Sequence, residues 1–75
     1  MCLGIPGQVV EMVEPDVAVV DVVGVPRRIN VGLIPDGPLR AGDWVLIHVG
    51  FALSRMAEDE AEDAMSLLRE MADGA

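Results

Sequence analysis

Residues 44–53 read Trp-Val-Leu-Ile-His-Val-Gly-Phe-Ala-Leu and form the strongest strand signal in the chain. Alternation of apolar side chains places successive residues on opposite faces of a β-strand. The residues expected on one face are Val45, Ile47, Val49, Phe51 and Leu53. The residues expected on the other face are Trp44, Leu46, His48 and Gly50. Because a run this long exceeds most strands, Gly50 is predicted to mark a bend or bulge, so that one strand serves two parts of a small closed barrel.

The segment before residue 42 is rich in valine, glycine and proline and is interrupted by turn signals, as is typical of short strands in a small barrel. Strands are predicted over residues 8–14, 17–22 and 25–33, with turns at 14–16 and 23–24 and a corner at 35–38. Ile5-Pro6-Gly7 is predicted to form a type II turn, because proline fixes φ at the second turn position and glycine permits positive φ at the third. This turn would separate a tail carrying Cys2 from the first strand.

The apolar period changes to that of a helix after Glu58. One helical face would carry Ala61, Ala64, Met65, Leu68 and Met71. An amphipathic helix is therefore predicted over residues 58–73, with Asp59 as N-cap, Glu62 as its capping-box partner and Gly74 at the end. The fold class predicted is mainly β, a small β-barrel followed by one C-terminal amphipathic α-helix.

Composition limits the chain to one small domain of 75 residues with a net charge of -8, five arginines and no lysine. That charge would repel a phosphate backbone, so no nucleic-acid partner is expected. With one cysteine no internal disulfide forms, which fits a reducing compartment. The sequence carries neither a secretion signal nor an apolar run of bilayer length, so we expect a cytoplasmic protein that does not enter the membrane.

Cys2 is the residue with the most reactive chemistry in the sequence. Removal of Met1 would leave a cysteine with a free thiol beside a free α-ammonium group, and that positive charge favours the thiolate. A thiolate can serve as a nucleophile, a metal ligand or a transfer handle. An inert small hydrophobic residue remains an equally compatible interpretation on the thiol alone.

His48 is the only histidine, and taken alone a structural role suits it better than a ligand role. Beside Cys2 the balance changes, because thiolate and imidazole both suit a first-row metal such as iron. Two protein ligands do not hold a metal tightly, which suggests a carrier whose partner supplies the remaining ligands. The methionines of the helix would pack on the barrel or meet a partner, and Trp44 would fill the barrel or anchor an interface.

Two segments together identify a family resemblance. MCLGIPGQV at residues 1–9 and GDWVLIHVGFA at residues 42–52 closely resemble the signature segments of the HypC/HupF family of [NiFe]-hydrogenase maturation chaperones. The resemblance implies an OB-like barrel that acts as a chaperone and not as an enzyme. It also implies that Cys2 takes part in binding the iron of an Fe(CN)2CO group, held transiently with a HypD-type scaffold protein and delivered to the precursor of the hydrogenase large subunit.

The resemblance further implies which residues form the site. His48 matches the family's histidine, as an iron ligand or a local proton partner, and the expected partner-binding residues are Cys2, Leu3, Gly4, Ile5, Pro6 and Gly7. Two other classes stay open on the residues alone. One is an enzyme whose Cys2 thiolate attacks a substrate with its own amine as base, which would turn over amides or thioesters without a partner. The other is an adaptor barrel in which Cys2 is inert.

Overall fold

A computed structural model describes residues 4–35 and 38–73 of the chain, with side chains described as far as Glu70. Within these residues, five strands form a closed barrel in the order β1-β2-β3-β5-β4, and one helix follows. The elements are β1 (Ile5–Glu14), β2 (Val17–Val22), β3 (Val25–Asn30), β4 (Trp44–His48), β5 (Phe51–Met56) and α1 (Glu58–Asp73). The predicted fold class, a mainly β barrel with a C-terminal helix, is confirmed.

The barrel is filled by small and branched apolar side chains from every strand. Its core consists of Val9, Ala18, Val20, Ile29, Val31, Leu39, Val45, Ile47 and Ala52. On β4 the predicted alternation is observed, since Val45 and Ile47 are buried while Trp44, Leu46 and His48 are half-buried on the outer face. Each buried Val, Leu or Ile side chain contributes about 1.5–3 kcal/mol by leaving water, so the strand faces that carry these side chains point inward.

The predicted single long strand is wrong, because residues 44–53 fold back as a hairpin. Val49 and Gly50 form the turn between β4 and β5, with φ of 51° and 79°. Ile47 pairs with Ala52, so Ala52 takes the core position, whereas Phe51 and Leu53 are exposed. A two-residue turn with positive φ at both positions matches the twist of paired strands. The chain therefore folds back at Val49-Gly50 and does not continue as one long strand. The register of this hairpin does shift, but not at Gly50. Leu46 pairs with Ser54 and Ile47 pairs with Ala52, so Leu53 is left without a partner on β4.

The predicted turn at Ile5-Pro6-Gly7 is also wrong, because these residues begin β1. They pair with Ile47, Leu46 and Val45 of β4, respectively. Gly7 is required by space and not by a turn: a Cβ added there would lie 2.6 Å from both Ile47 Cδ1 and Val20 Cγ1. The first residues of the strand therefore belong to the barrel wall.

The third strand ends at Asn30, three residues earlier than the predicted strand over 25–33. The side-chain oxygen of Asn30 accepts a hydrogen bond from the backbone N–H of Gly32 at 2.9 Å, which bends the chain out of the sheet. The backbone N–H of Asn30 donates to the Gly50 carbonyl at 3.0 Å. This bond lies at the seam where β3 meets β5, and it closes the barrel.

The helix has the predicted bounds, 58–73, but a different N-terminal cap. Glu60, not Glu62, reaches back, and its Oε1 accepts a hydrogen bond from the Ala57 N–H at 3.0 Å, so the helix begins two residues earlier than an Asp59 cap would allow. The expected end at Gly74 lies outside the described residues. None of the described helical residues forms a span long and apolar enough to cross a membrane.

The helix packs on the outer face of β1 and β4. Trp44 lines a cleft together with Met65 and Arg69, so the tryptophan lies between barrel and helix and does not fill the barrel interior. Ala61 is fully buried, and Met65 is half-buried, in agreement with the predicted apolar stripe. The side chain of Met71 lies outside the described residues.

Two hairpin turns place valine in a left-handed conformation. Val23 and Val49 both have φ of 51°, followed by Gly24 and Gly50 with φ of 83° and 79°. A β-branched residue is disfavoured there, and asparagine is strongly preferred. We expect Val23→Asn to raise the free energy of unfolding by about 1 kcal/mol, which corresponds to about 4–8 °C in melting temperature for a domain of this size.

The matched control for this change is Gly24→Ala, which should lower stability although nothing lies within 4 Å of the added methyl group. Its cost would be conformational alone, because alanine resists positive φ. Thermal unfolding followed by circular dichroism measures both variants. A Val23→Asn protein no more stable than the original would contradict backbone strain at this turn.

Candidate functional site

The chain enters the barrel at the end of β4 that carries His48. β1 and β4 are antiparallel, and Ile5 pairs with Ile47, so Gly4 lies at that end of the sheet. A Cβ added to Gly4 would overlap the side chain of Leu46. Only glycine allows this approach of the backbone to the outer face of β4, which brings the start of the described chain beside the predicted histidine.

The residues predicted for the site are divided between the surface and the barrel wall. Cys2 and Leu3 lie outside the described residues. Gly4 is half-buried, Ile5 is 40% exposed, and Pro6 and Gly7 are buried. The structure thus gives Pro6 and Gly7 a role in supporting the chain start, and the part of all six residues in partner binding stays a prediction.

His48 is half-buried on the outer face of β4 and pairs with Phe51 across the hairpin. Among residues 4–35 and 38–70, no group of three or more His, Cys, Asp or Glu side chains could hold a metal ion. His48 is the one imidazole of this region, and its predicted pairing with the Cys2 thiol lies outside the described residues.

A cleft of about 570 Å³, which we call the end cleft, opens beside the start of β1. It lies between β3 and the turn joining β4 to β5. In the described sheet β3 and β5 pair only through Asn30 and Phe51, so the two strands are not joined beyond this pair and the cleft opens there. Its lining residues are Ile5, Val22, Pro26, Arg27, Arg28, Ile29, Ile47, Val49 and Gly50. The end cleft is thus apolar except for two neighbouring arginines.

The two arginines of the end cleft differ in their partners. Arg28 Nη2 donates to Glu14 Oε2 at 3.2 Å, an exposed ion pair of the kind that contributes little to stability. The side chain of Arg27 has no hydrogen bond or ion pair within the described part of the chain. Sequence reasoning did not select these residues as a site. The available signal was an Arg-Arg pair in a chain with 13 acidic residues.

Val49, at the rim of the end cleft, is 78% exposed and holds the left-handed conformation described above. Ile5 and Phe51 are also substantially exposed, at 40% and 44%. Large apolar side chains therefore surround the point where the chain enters the barrel.

Comparison with known proteins assigns the chain to a family. The HupF/HypC family profile matches residues 1–68. The hydrogenase maturation factor HypC of Rhodobacter capsulatus is 47% identical over 75 aligned residues, covering 95% of this chain and 78% of the relative. The hydrogenase maturation factor HybG of Escherichia coli K12 is 45% identical over 75 aligned residues, covering 95% of this chain and 92% of the relative.

A further relative is the Frd operon uncharacterized protein C of Proteus vulgaris, which is 48% identical over 75 aligned residues that cover 95% of this chain and 78% of the relative. The family resemblance deduced from residues 1–9 and 42–52 is confirmed by these matches over nearly the whole length. The chain belongs to the HupF/HypC family.

Proposed function

We propose that this chain is a chaperone for [NiFe]-hydrogenase maturation. The observation that carries the proposal is its identity of 45% and 47% with two proteins named hydrogenase maturation factors, over 95% of its length. In this role the chain holds the Fe(CN)2CO group together with a HypD-type scaffold protein and then passes it to the precursor of the hydrogenase large subunit. The iron group is cargo, and the chain acts on it without turnover of a substrate.

The Cys2 thiolate is the proposed grip on the iron. Cys2 precedes Ile5 by three residues, so covalent chain length alone keeps its Cα within about 11 Å of the Ile5 Cα. Ile5 lines the end cleft and pairs next to His48 on β4. This short tether supports a site formed by the thiolate and the end cleft, with the imidazole beside it on the outer face of β4.

His48 is proposed to assist the thiolate, as a further ligand or as a nearby proton partner. A half-buried imidazole can serve either purpose, since its two ring nitrogens donate and accept separately. Thiolate and imidazole together still leave an iron ion short of ligands. Cargo held in this way exchanges readily with a partner that offers more thiolates, which is what a carrier requires.

Co-purification tests the proposal directly. The chain is expressed with a HypD-type scaffold, the complex is isolated, and its iron content and its infrared cyanide and carbonyl bands are measured. We expect a complex that contains iron and shows both kinds of band, and with His48→Ala we expect less iron per complex and an unchanged melting temperature of the isolated chain. An original complex without iron and without these bands would overturn the proposal.

The experiment also distinguishes the other two classes. A nucleophilic enzyme would hydrolyse amides or thioesters as the purified chain, without any scaffold protein. An adaptor barrel would bind the scaffold but would retain the same iron content when Cys2 is replaced. Either result would replace the chaperone proposal with that class.

A further inference from the structure

We infer that Arg27 donates hydrogen bonds to the cyanide ligands of the iron group, so that the end cleft is the seat of the cargo on this chain. The inference rests on the proposed function and adds a recognition residue to it. Arg27 would thus select the cyanide-bearing iron group over a bare iron ion.

Charge is the first reason. An iron(II) ion with two cyanides and at least one thiolate is anionic, whereas the chain itself carries a net charge of -8 and would repel such a group over most of its surface. No acidic residue is among the described residues that line the end cleft, while two arginines are. The end cleft is therefore a place where the local charge is opposite to that of the chain as a whole.

Hydrogen-bonding capacity is the second reason. A cyanide ligand presents a nitrogen that accepts hydrogen bonds, and a guanidinium group presents five donors in a fixed plane. Glu14 already occupies Arg28, but the guanidinium of Arg27 has no partner among the described residues. Arg27 is thus the arginine of the end cleft whose guanidinium donors no described residue occupies.

The apolar walls are the third reason. Carbon monoxide on iron is a poor hydrogen-bond acceptor and favours an apolar surrounding, and Ile5, Ile47 and Val49 provide one. A cleft with apolar walls and one group of free donors matches a ligand set made of one carbonyl and two cyanides. A carboxylate from a partner protein would use the arginine but would gain nothing from these walls.

The test compares Arg27→Gln with Arg40→Gln in the purified complex with the scaffold protein. Arg40 is exposed and is not among the residues lining the end cleft, so it controls for the loss of one positive charge. We expect Arg27→Gln to bind the scaffold normally, to shift the infrared cyanide bands while the carbonyl band moves less, and to lose iron about tenfold faster. Arg40→Gln should match the original chain in all three measurements.

Arg27→Lys provides a second variant, which keeps the charge but loses the planar set of donors. It should retain iron better than Arg27→Gln while still shifting the cyanide bands. Unchanged bands and iron retention in Arg27→Gln would overturn the inference and leave the proposed function intact. Loss of scaffold binding in Arg27→Gln would also overturn it, since Arg27 would then meet the partner. An original complex without iron would overturn both proposals.

Discussion

Replacing Cys2 with serine is expected to reduce hydrogenase maturation to background while the barrel remains folded. Serine keeps the size of the side chain and exchanges sulfur for a hydroxyl group. The hydroxyl stays protonated at neutral pH and is a weak ligand for iron, whereas the thiolate is both charged and polarisable. Loss of the grip on the cargo should therefore remove function without removing any contact of the barrel core.

Hydrogenase activity in cells that lack the original gene and carry the variant measures this prediction. Circular dichroism and thermal melting of the purified variant provide the control for folding, and both should match the original chain because Cys2 precedes β1 and none of the core residues is altered. Normal hydrogenase activity with Cys2→Ser would contradict the proposed carrier role. It would favour a barrel that acts through protein contacts alone.

Much of the barrel was predictable because its inward residues follow the period of a strand. The strand over 17–22 was predicted with the bounds observed, as was the helix over 58–73. The strand is a valine-rich run between two turn signals, and the helix repeats apolar side chains every third or fourth residue. Local pattern was sufficient where one face of an element is buried along its whole length.

The errors arose where tertiary contacts decide the conformation. Val49-Gly50 lacks the Asn or Asp that usually signals a two-residue hairpin, so an apolar run crossed the turn without an apparent break. Pro6-Gly7 has the composition of a turn, but its neighbours in space are Leu46, Ile47 and Val20. Proline in a strand and glycine in a crowded core become intelligible only when the partner strand is known.

The candidate site residues are chosen from the sequence by their chemistry, and their role stays a prediction, whereas their surroundings become visible only in the structure. Cys2 and His48 stand out in the sequence because each is the single residue of its type. The end cleft does not stand out, because it is formed by residues from β1, β3, β4 and the turn after β4, and only the closing of the barrel brings these together. The place of Arg27 in this cleft, without a side-chain partner among the described residues, therefore becomes visible only in the folded chain.

Gly7→Ala is expected to lower the free energy of unfolding by about 1–3 kcal/mol, the usual cost of forcing an extra methyl group into a packed core. The new Cβ would lie 2.6 Å from Ile47 Cδ1 and from Val20 Cγ1, and both side chains are buried. Alanine would gain about 0.5–1 kcal/mol over glycine in a strand, which is too little to offset the overlap. Such a loss is severe for a domain of this length, whose total stability is about 4–11 kcal/mol.

Urea denaturation of Gly7→Ala, with Gly32→Ala as the matched control, measures the effect. A Cβ on Gly32 would lie 3.2 Å from Asp16 Cγ and 3.3 Å from Asn30 Oδ1, both on side chains outside the core, so the control should change stability by no more than about 0.5 kcal/mol.

Ile47→Val removes the Cδ1 atom that the new methyl group would meet, so its combination with Gly7→Ala should cost less than the two single changes added together. If the two changes in the free energy of unfolding were strictly additive, the cost of Gly7→Ala would not arise from this contact. A Gly7→Ala protein as stable as the original would contradict the packing of β1 against the core, and with it the fixed chain start on which the reach of Cys2 depends.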